Sequence, residues 1–324
     1  MLARRGGARR PPIAAVSATR YATRMARTAA NDSGIELEYE VLGQGEPLLL
    51  IMGLGAQMIL WADGFVDALV RRGFQVIRFD NRDIGLSTWV KTRVGDPRKL
   101  MARRLLGLSV PAPYTLRDMA ADAVGLLDHL GVARAHVVGA SMGGMIAQTM
   151  AIESPARVAS LTSIMSSTGA RRHLISKPRA LGALLRPRPN DRAEAIEGAV
   201  AFFRACGGTT HAPDWDWLRE TSGRSYDRAF HPAGFVRQLA AILASGSRRD
   251  ALARVTAPTT VIHGTADPLV LPAAGVGTAQ AIPGARFVPV AGMGHDLPSS
   301  TWRLVGDEIE RMRERAQARS SARA

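Results

Sequence analysis

Short apolar runs alternate with segments of helical periodicity along most of the chain, and this alternation constrains the fold more than any other feature. The runs read PLLLIMG, FQVIRFD, AHVVGA, VASLTSI, TTVIHG and ARFVPV. Runs of this length and polarity are typical of strands buried on both faces of a parallel sheet. Helix-period segments lie between or after them, at residues 61–72, 116–130, 142–153, 272–282 and 301–313. Strand and helix in this order predict a mostly parallel, doubly wound α/β sheet.

The stretch IELEYEVLG, before the first of these runs, has a different pattern. Its apolar residues Ile35, Leu37, Tyr39 and Val41 alternate with glutamates at positions 36, 38 and 40. Strict alternation predicts a strand with one buried face and one solvent-exposed face, as in an antiparallel hairpin. The last run contains Pro289, which cannot donate to a sheet ladder and therefore predicts an edge strand.

One long segment interrupts the alternation. Residues 168–250 contain helical patterns but no convincing buried strand, and an insertion of this length between two strands predicts a helical cap. The expected organisation is therefore a core of residues 31–167 and 251–318 with a cap of residues 168–250. Residues 1–30 and 319–324 are expected to be disordered, arginine-bearing ends.

The two terminal stretches of the sequence, residues 1–30 and 311–324, account for most of the net charge of +14. Residues 1–30 carry +7 and residues 311–324 carry +4, which leaves +3 for residues 31–310. A nearly neutral body argues against a nucleic acid or an anionic membrane as partner and favours solvated ends.

Two further absences from the sequence bear on location. No apolar run approaches the roughly 18 residues of a membrane span, so stable membrane insertion is not expected. Cys206 is the sole cysteine, which excludes an intrachain disulfide and a cysteine-based metal site. A cytoplasmic protein is predicted. The acid-free N-terminal segment leaves organelle targeting as an alternative. Another interpretation of this segment is that the natural protein starts at Met25.

The stretch HVVGASMGG contains a Gly-x-Ser-x-Gly motif centred on Ser141. The motif follows a predicted strand and opens a predicted helix, which is the setting of a nucleophile elbow. In such a turn the serine adopts a strained backbone conformation, and small residues two positions away on either side leave room for it. Gly139 and Gly143 supply that room, so Ser141 is predicted to be the catalytic nucleophile.

A serine nucleophile needs a base that works near neutral pH, and histidine is the natural one. His295 lies in a glycine-punctuated loop just past the last predicted strand, at the same sheet edge as Ser141. Asp267, after the penultimate strand, is the acid expected to orient that imidazole. Asp296 competes for this role, but as the neighbour of His295 in an extended loop its side chain should point away. His263, at the end of its strand, is expected to brace the following loop.

The glycine pair in IMGLGAQMILW has two possible interpretations. A dinucleotide-binding loop would need a third glycine at position 58, which is Met, so that interpretation fails. An acyl-transfer site instead needs two backbone amides aimed at the developing oxyanion. The predicted donors are Met142, which follows the nucleophile, and Leu54, in the loop after an early strand.

Several of these motifs together resemble the α/β-hydrolase superfamily, over about residues 33–318. The stretches IMGLGAQMILW, VIRFDNRDIGLST, HVVGASMGG, HGTADPLV and GMGHDLP are similar to those of bacterial esterases related to aclacinomycin methylesterase. The resemblance implies a Ser/Asp/His triad, a two-amide oxyanion hole, a helical cap and no cofactor or metal. The chain departs from the superfamily pattern at Met52, where many relatives have His, and at Asp83, which replaces a Gly. An acid at position 83 excludes a requirement for positive φ there, and the neighbouring Asp80 and Arg82 are expected to be structural.

The leading functional hypothesis is a serine hydrolase that cleaves a small to medium, largely apolar carboxylic ester through an acyl-enzyme. The alternatives are a carbon–carbon bond hydrolase or other acyl-transfer enzyme with the same triad, and a non-catalytic small-molecule receptor on the same fold. Six aromatic residues of the predicted cap are candidates for an apolar pocket, but aromatics at such spacing more often form the cap's own core. They are Phe202, Phe203, Trp215, Trp217, Tyr226 and Phe230.

Overall fold

The computed structural model describes residues 24–29, 34–186, 189 and 191–322. Eight strands form one sheet, in the order β1-β2-β4-β3-β5-β6-β7-β8. The strands are β1 Arg24–Ala29, β2 Glu36–Leu42, β3 Glu46–Ile51, β4 Phe74–Phe79, β5 Ala135–Ala140, β6 Val158–Ile164, β7 Thr259–Gly264 and β8 Arg286–Val290. The β1/β2 and β2/β4 pairs are antiparallel and the other pairs are parallel. The predicted mostly parallel α/β sheet is confirmed, and β8, with Pro289, lies at an edge.

Eleven α-helices are found in the described part of the chain. They are α1 Asp63–Val70, α2 Pro97–Leu105, α3 Leu116–His129, α4 Met142–Glu153, α5 Pro178–Leu184, α6 Arg192–Cys206, α7 Trp215–Arg228, α8 Pro232–Ser245, α9 Arg249–Leu252, α10 Pro272–Ala281 and α11 Trp302–Ser321. Start signals are local: Thr115 and Asp118 form a capping box for α3, and the side chain of Asp96 accepts from two amides of α2. Helices α5 to α9 occupy the chain between β6 and β7, where no strand is found among the described residues. We call residues 168–250 the helical insertion.

The sheet is covered on both faces, as the apolar runs predict. Leu49 and Ile51 of β3 belong to a core cluster that includes side chains of α3 and α4. Leu48 and Leu50, the alternate residues of the same strand, belong to a second cluster with side chains of α1 and α11. Since successive side chains of a strand point to opposite faces, both faces of β3 are buried.

The expectation that the glutamates of β2 face solvent is confirmed for Glu36, which is exposed, and wrong for the other two. Glu38 and Glu40 are both buried. Glu40 pairs with Arg78 of the neighbouring strand β4 at 2.7 Å, and Arg228 of α7 approaches Glu38 at 3.9 Å. Arginines from other elements thus compensate charges that the strand's own pattern assigns to water.

The two ends also differ from expectation where the structure describes them. Residues 24–29, within the segment expected to be disordered, form β1, whose pairing occupies the hydrogen-bonding edge of β2. Residues 319–321 continue α11, in which Met312 and Ala316 are buried. Residues 1–23, with most of the N-terminal arginines, and residues 323–324 lie outside the described residues.

Candidate active site

Ser141 lies in the sharp turn between β5 and α4. Its backbone has φ 56° and ψ −118°, a conformation that costs free energy in a non-glycine residue. The turn is held in part by the Ser141 amide, which donates to the carbonyl of Ile164 at 2.9 Å. A Cβ atom at Gly139 would lie 2.1 Å from the carbonyl oxygen of Gly143, and one at Gly143 would lie 2.0 Å from that of Ile51. Glycine is therefore required at both positions by close backbone contacts.

The structure brings the three predicted side chains into one hydrogen-bonded line. Nε2 of His295 lies 2.9 Å from Oγ of Ser141, and Nδ1 of His295 lies 2.8 Å from Oδ2 of Asp267. Asp267 follows β7 and His295 follows β8, so both reach the sheet edge at which β5 presents Ser141. This arrangement suits transfer of a proton from the hydroxyl to an imidazole that a carboxylate orients.

Asp267 is buried and well supplied with donors. Its Oδ1 accepts from the amides of Leu269 and Val270, each at 2.9 Å. Burial by itself would raise the pKa of Asp267, but the neighbouring imidazoles of His295 and His263 outweigh it and hold the pKa of that carboxyl well below its usual range. The carboxylate is thus ionised at neutral pH and available to stabilise an imidazolium.

The two other polar residues considered for this edge are placed differently. Nε2 of His263 lies 2.7 Å from the carbonyl oxygen of Val270, so His263 braces the loop after β7, as predicted. Oδ1 of Asp296 accepts from the amide of Gly294 at 3.1 Å, while Asp267 and not Asp296 contacts the imidazole of His295. Burial raises the pKa of Asp296.

A second serine–histidine–carboxylate line exists elsewhere in the fold. Oγ of Ser160 lies 2.8 Å from Nδ1 of His136, whose Nε2 lies 2.9 Å from Oε2 of Glu46. Ser160 is 2% exposed and lines neither the cavity of about 220 Å³ that Ser141 lines nor a neighbouring cavity of about 320 Å³. Hydrogen-bond geometry alone therefore does not mark a hydrolytic site, whereas access from a cavity distinguishes Ser141 from Ser160.

The amides of Leu54 and Met142 are the predicted oxyanion donors. Met142 begins α4, and the first amides of a helix have no partner within it. Neither amide donates to another group in the part of the chain that the structure describes. The Leu54 loop lies against the nucleophile, because a Cβ atom at Gly53 would lie 3.2 Å from Cβ of Ser141.

Gln238 of α8 holds the loop that carries Leu54, and no sequence signal pointed to it. Its Oε1 accepts from the amide of Gly55 at 2.9 Å, and its Nε2 donates to the carbonyl of Arg82 at 2.8 Å. The side chain is fully buried. Gln238 therefore links the helical insertion to the predicted oxyanion loop.

The segment from Asp80 to Asp83, after β4, makes structural contacts, but the expectation for the backbone of Asp83 is wrong. Arg82 pairs with Asp122, and Oδ1 of Asp80 accepts from the amide of Met58 at 2.8 Å. Asp83, for which a positive φ was not expected, has φ 72°. Aspartate tolerates the left-handed region better than most residues, and here Arg237 pairs with both carboxylate oxygens of Asp83, at 2.8 and 2.9 Å. The ion pair with Arg237, which the local sequence does not reveal, offsets the cost of the left-handed backbone conformation at Asp83.

Ser141 and His295 open into a cavity of about 220 Å³. Its wall is mostly apolar, and the side chains come from both the core and the helical insertion, for example Met52, Met145, Leu184 and Phe202. A second cavity of about 320 Å³ adjoins it, and Leu54, Leu60, Leu184 and Phe202 line both.

Five of the six aromatic residues line these cavities, so the expectation that they mainly form the core of the cap is wrong for those five. Phe202 and Phe203 line both cavities, Trp217 lines the first, and Tyr226 and Phe230 line the second. Trp215 lines neither and has the guanidinium of Arg204 over its ring.

Neither a metal-binding cluster nor a membrane-spanning helix is found among the described residues. No group of three or more His, Cys, Asp or Glu side chains within them is arranged to hold a metal ion. None of the helices described is both long enough and apolar enough to cross a membrane.

Comparison with known proteins places this geometry in a family. The profile of the alpha/beta hydrolase fold matches residues 46–298. Rhodomycin D methylesterase DnrP of Streptomyces peucetius is 31% identical over 297 residues, which cover 84% of this chain and 92% of that protein. Rhodomycin D methylesterase DauP of a Streptomyces species is also 31% identical, over 78% of this chain and 85% of the relative.

A solved structure agrees with this placement. The enol-lactonase from Burkholderia xenovorans superposes with a TM-score of 0.66 at 24% identity, covering 89% of this chain and 99% of the other. At that identity the likeness supports the fold alone. The resemblance to bacterial methylesterases is confirmed by the two Streptomyces relatives, and the profile match covers most of the chain. The chain therefore belongs to the alpha/beta hydrolase fold family.

Proposed function

We propose that this protein is a serine carboxylesterase that acts through an acyl-enzyme intermediate. The observation that carries the proposal is the continuous line from Asp267 through His295 to Ser141, with Ser141 at the wall of an apolar cavity. The family supports hydrolysis, and two relatives at 31% identity are methylesterases.

In the proposed reaction, Oγ of Ser141 attacks the ester carbonyl carbon while Nε2 of His295 takes the hydroxyl proton. The carboxylate of Asp267 orients the imidazole and stabilises its charged form. The amides of Leu54 and Met142 donate to the oxyanion of the tetrahedral intermediate. Collapse of that intermediate expels the alcohol, which receives the proton from His295, and water then hydrolyses the acyl-enzyme by the same steps. No metal or cofactor is needed.

The cavities favour a largely apolar, uncharged substrate. Methionine, leucine and phenylalanine side chains dominate the wall around Ser141, and the few polar groups there, apart from the proposed triad, include Ser167, Ser176 and Asp296. A short ester fits within the first cavity of about 220 Å³, and the adjoining cavity gives room for one larger substituent. Small to medium esters are therefore the expected substrates.

An active-site probe and a matched control test the proposal. A fluorophosphonate should label the wild-type protein and fail to label Ser141→Ala. Ser160→Ala should be labelled like the wild type, because Ser160 has the same kind of histidine partner but lines neither cavity. Equal labelling of wild type and Ser141→Ala would refute the assignment of the nucleophile.

A scan of 4-nitrophenyl esters of increasing acyl length separates an esterase from a binding protein on the same fold. We expect hydrolysis of short and medium esters by the wild type and its loss in Ser141→Ala. Labelling of Ser141 without hydrolysis at any chain length would contradict the esterase proposal while leaving the nucleophile assignment intact.

A further inference from the structure

A cluster of strongly exposed apolar side chains lies at the end of α2 and in the segment after β6. Leu105, Leu106 and Leu108 are 53%, 74% and 51% exposed, and Ile175 is 61% exposed. Among the described residues these are the four most exposed large apolar side chains. We call these four residues the leucine patch. Exposed apolar side chains that cluster in this way usually mark an interaction surface.

The two segments that form the leucine patch lie against each other. A Cβ atom at Gly107 would lie 2.6 Å from Nη1 of Arg171, and Nη2 of Arg104 donates to the carbonyl of Gly169 at 3.1 Å. Leu174 packs against the same cluster as Leu100 of α2. The patch is therefore one surface although Leu108 and Ile175 are 67 positions apart in the sequence.

A defined helix end holds the leucines outward. Gly107 has φ 76°, its amide donates to the carbonyl of Arg104 at 3.1 Å, and the amide of Leu108 donates to that of Arg103 at 2.9 Å. These bonds form a Schellman motif, in which the apolar residue after the glycine commonly packs back on the helix. Leu108 instead remains half exposed, so the turn presents this side chain to the surroundings.

The two segments that form the patch are rich in cations. Residues 97–108 contain Arg98, Lys99, Arg103 and Arg104, and residues 168–177 contain Arg171, Arg172 and Lys177. Neither stretch contains Asp or Glu. Residues 31–310 carry only +3 in total, so the nearly neutral body conceals a segregation of charge: these two segments are basic and the remainder is net negative.

We propose that the leucine patch docks onto an anionic lipid bilayer, with its apolar side chains in the interfacial region and the surrounding arginines and lysines at the lipid headgroups. Leucines framed by Lys and Arg are the pattern of surfaces that lie on anionic membranes. A second copy of the chain in a two-fold contact would bring the same cations against each other, which disfavours self-association here.

The patch adjoins the cavity that contains Ser141. Met101 of α2 and Leu174, next to Ile175, both line that cavity. Docking would thus place the cavity beside the bilayer, from which apolar esters partition. Docking itself goes beyond the proposed esterase activity and needs no turnover, so vesicle binding measured without substrate tests it separately.

The test is co-sedimentation of the full-length protein with vesicles of phosphatidylcholine alone or with about 30 mol% phosphatidylglycerol. We expect binding to the anionic vesicles only, weakened by added salt. Leu106→Asp should reduce the partition coefficient about tenfold or more, because one leucine leaves the interface and a negative charge replaces it. Leu304→Asp is the matched control, since Leu304 is also exposed but lies on α11, and it should bind like the wild type.

Neutralising charge gives an independent arm. Arg103→Gln and Arg172→Gln should each weaken binding about fivefold. Equal binding of Leu106→Asp and wild type would overturn the proposal and assign membrane affinity to the arginine-rich ends, which every variant retains. Equal binding to both kinds of vesicle would overturn the role of charge. A wild-type dimer in sedimentation equilibrium that Leu106→Asp converts to a monomer would show instead that the patch joins two copies of the chain.

Discussion

Replacing Gln238 by leucine tests whether the helical insertion positions the proposed oxyanion loop. Leucine is close in size to glutamine and keeps the packing of α8, but it can neither accept from the amide of Gly55 nor donate to the carbonyl of Arg82. The Gly55 amide is one residue beyond that of Leu54, the proposed donor. Without its bond to Gln238, the Gly55 amide can move, and the neighbouring Leu54 amide should then no longer point at the oxyanion.

The expected magnitudes follow from these contacts. The carbonyl of Arg82 loses its partner in a buried place, and an unsatisfied buried group costs about 1–3 kcal/mol of stability. Complete loss of one oxyanion donor lowers kcat about 10²- to 10³-fold, which is an upper limit here because Leu54 itself remains. Packing of Gly53 against Ser141 still restrains the loop. We therefore expect kcat to fall roughly 10- to 100-fold with KM nearly unchanged, since the contact acts in the transition state.

Steady-state hydrolysis of a 4-nitrophenyl ester, together with thermal unfolding, provides the assay. Gln148→Leu is the control, because Gln148 is equally buried and, like Gln238, makes two side-chain hydrogen bonds: it donates to Ser163 at 3.1 Å and accepts from Arg248 at 3.4 Å. It should lose comparable stability and keep kcat within about threefold. If Gln238→Leu loses stability as the control does but keeps the wild-type kcat, Gln238 is only a structural residue and the positioning argument fails.

Three further predictions concern other parts of the site. Asp267→Asn should lower kcat about 10⁴-fold. The folded-state pKa of Asp267 lies below that of an unfolded aspartate, about 3.9, so the ionised carboxylate stabilises the fold above that pH, and this stabilisation is lost on acidification. In an acid titration of unfolding, the free energy of unfolding should therefore fall less steeply with decreasing pH for the variant than for the wild type. Gly198→Phe should raise KM about tenfold or more for bulky esters and leave KM for short esters unchanged, since the open space at its Cβ position faces the second cavity. Gly182→Phe is the control, because Gly182 is equally open but lines neither cavity, and it should change neither KM. An equal loss of activity toward short and bulky esters in Gly198→Phe would refute the size argument. Burial raises the pKa of the Cys206 thiol to about 12, so its alkylation by iodoacetamide at about pH 8 should be on the order of a thousandfold slower than that of the unfolded chain; comparable rates would contradict that burial.

Local patterns in the sequence are sufficient to predict the sheet and to bring Ser141, Asp267 and His295 to one edge. The sheet is predicted from hydrophobic periodicity, and the site residues are predicted from their places after strands. Both kinds of signal involve only a few neighbouring positions. The roles of Leu54 and Met142 remain predictions that the kinetic tests address.

What the sequence does not reveal depends on partners far along the chain. Glu40 is buried because Arg78 of a neighbouring strand pairs with it, and Asp83 has a positive φ where Arg237, more than 150 residues later, holds its carboxylate. The cavity-lining role of Phe202 likewise depends on how α6 lies over the core. A side chain's neighbours on other elements, rather than its own segment, decide these features.

The loop around Leu54 shows how those distant contacts shape the site. Its backbone is held at three points: the side chain of Asn81 donates to the carbonyl of Met52 at 3.0 Å, Gln238 accepts from Gly55, and Asp80 accepts from Met58. Two of these side chains follow β4 in the core, but the third comes from α8 of the helical insertion. A movement of α8 away from the core would therefore release the predicted oxyanion loop. Gln57 of the same loop also donates to the carbonyl of Ser225 in α7 at 2.7 Å. Since the proposed catalysis needs that loop in place, substrate should enter past α5 or α6, with α7 and α8 remaining fixed parts of the site.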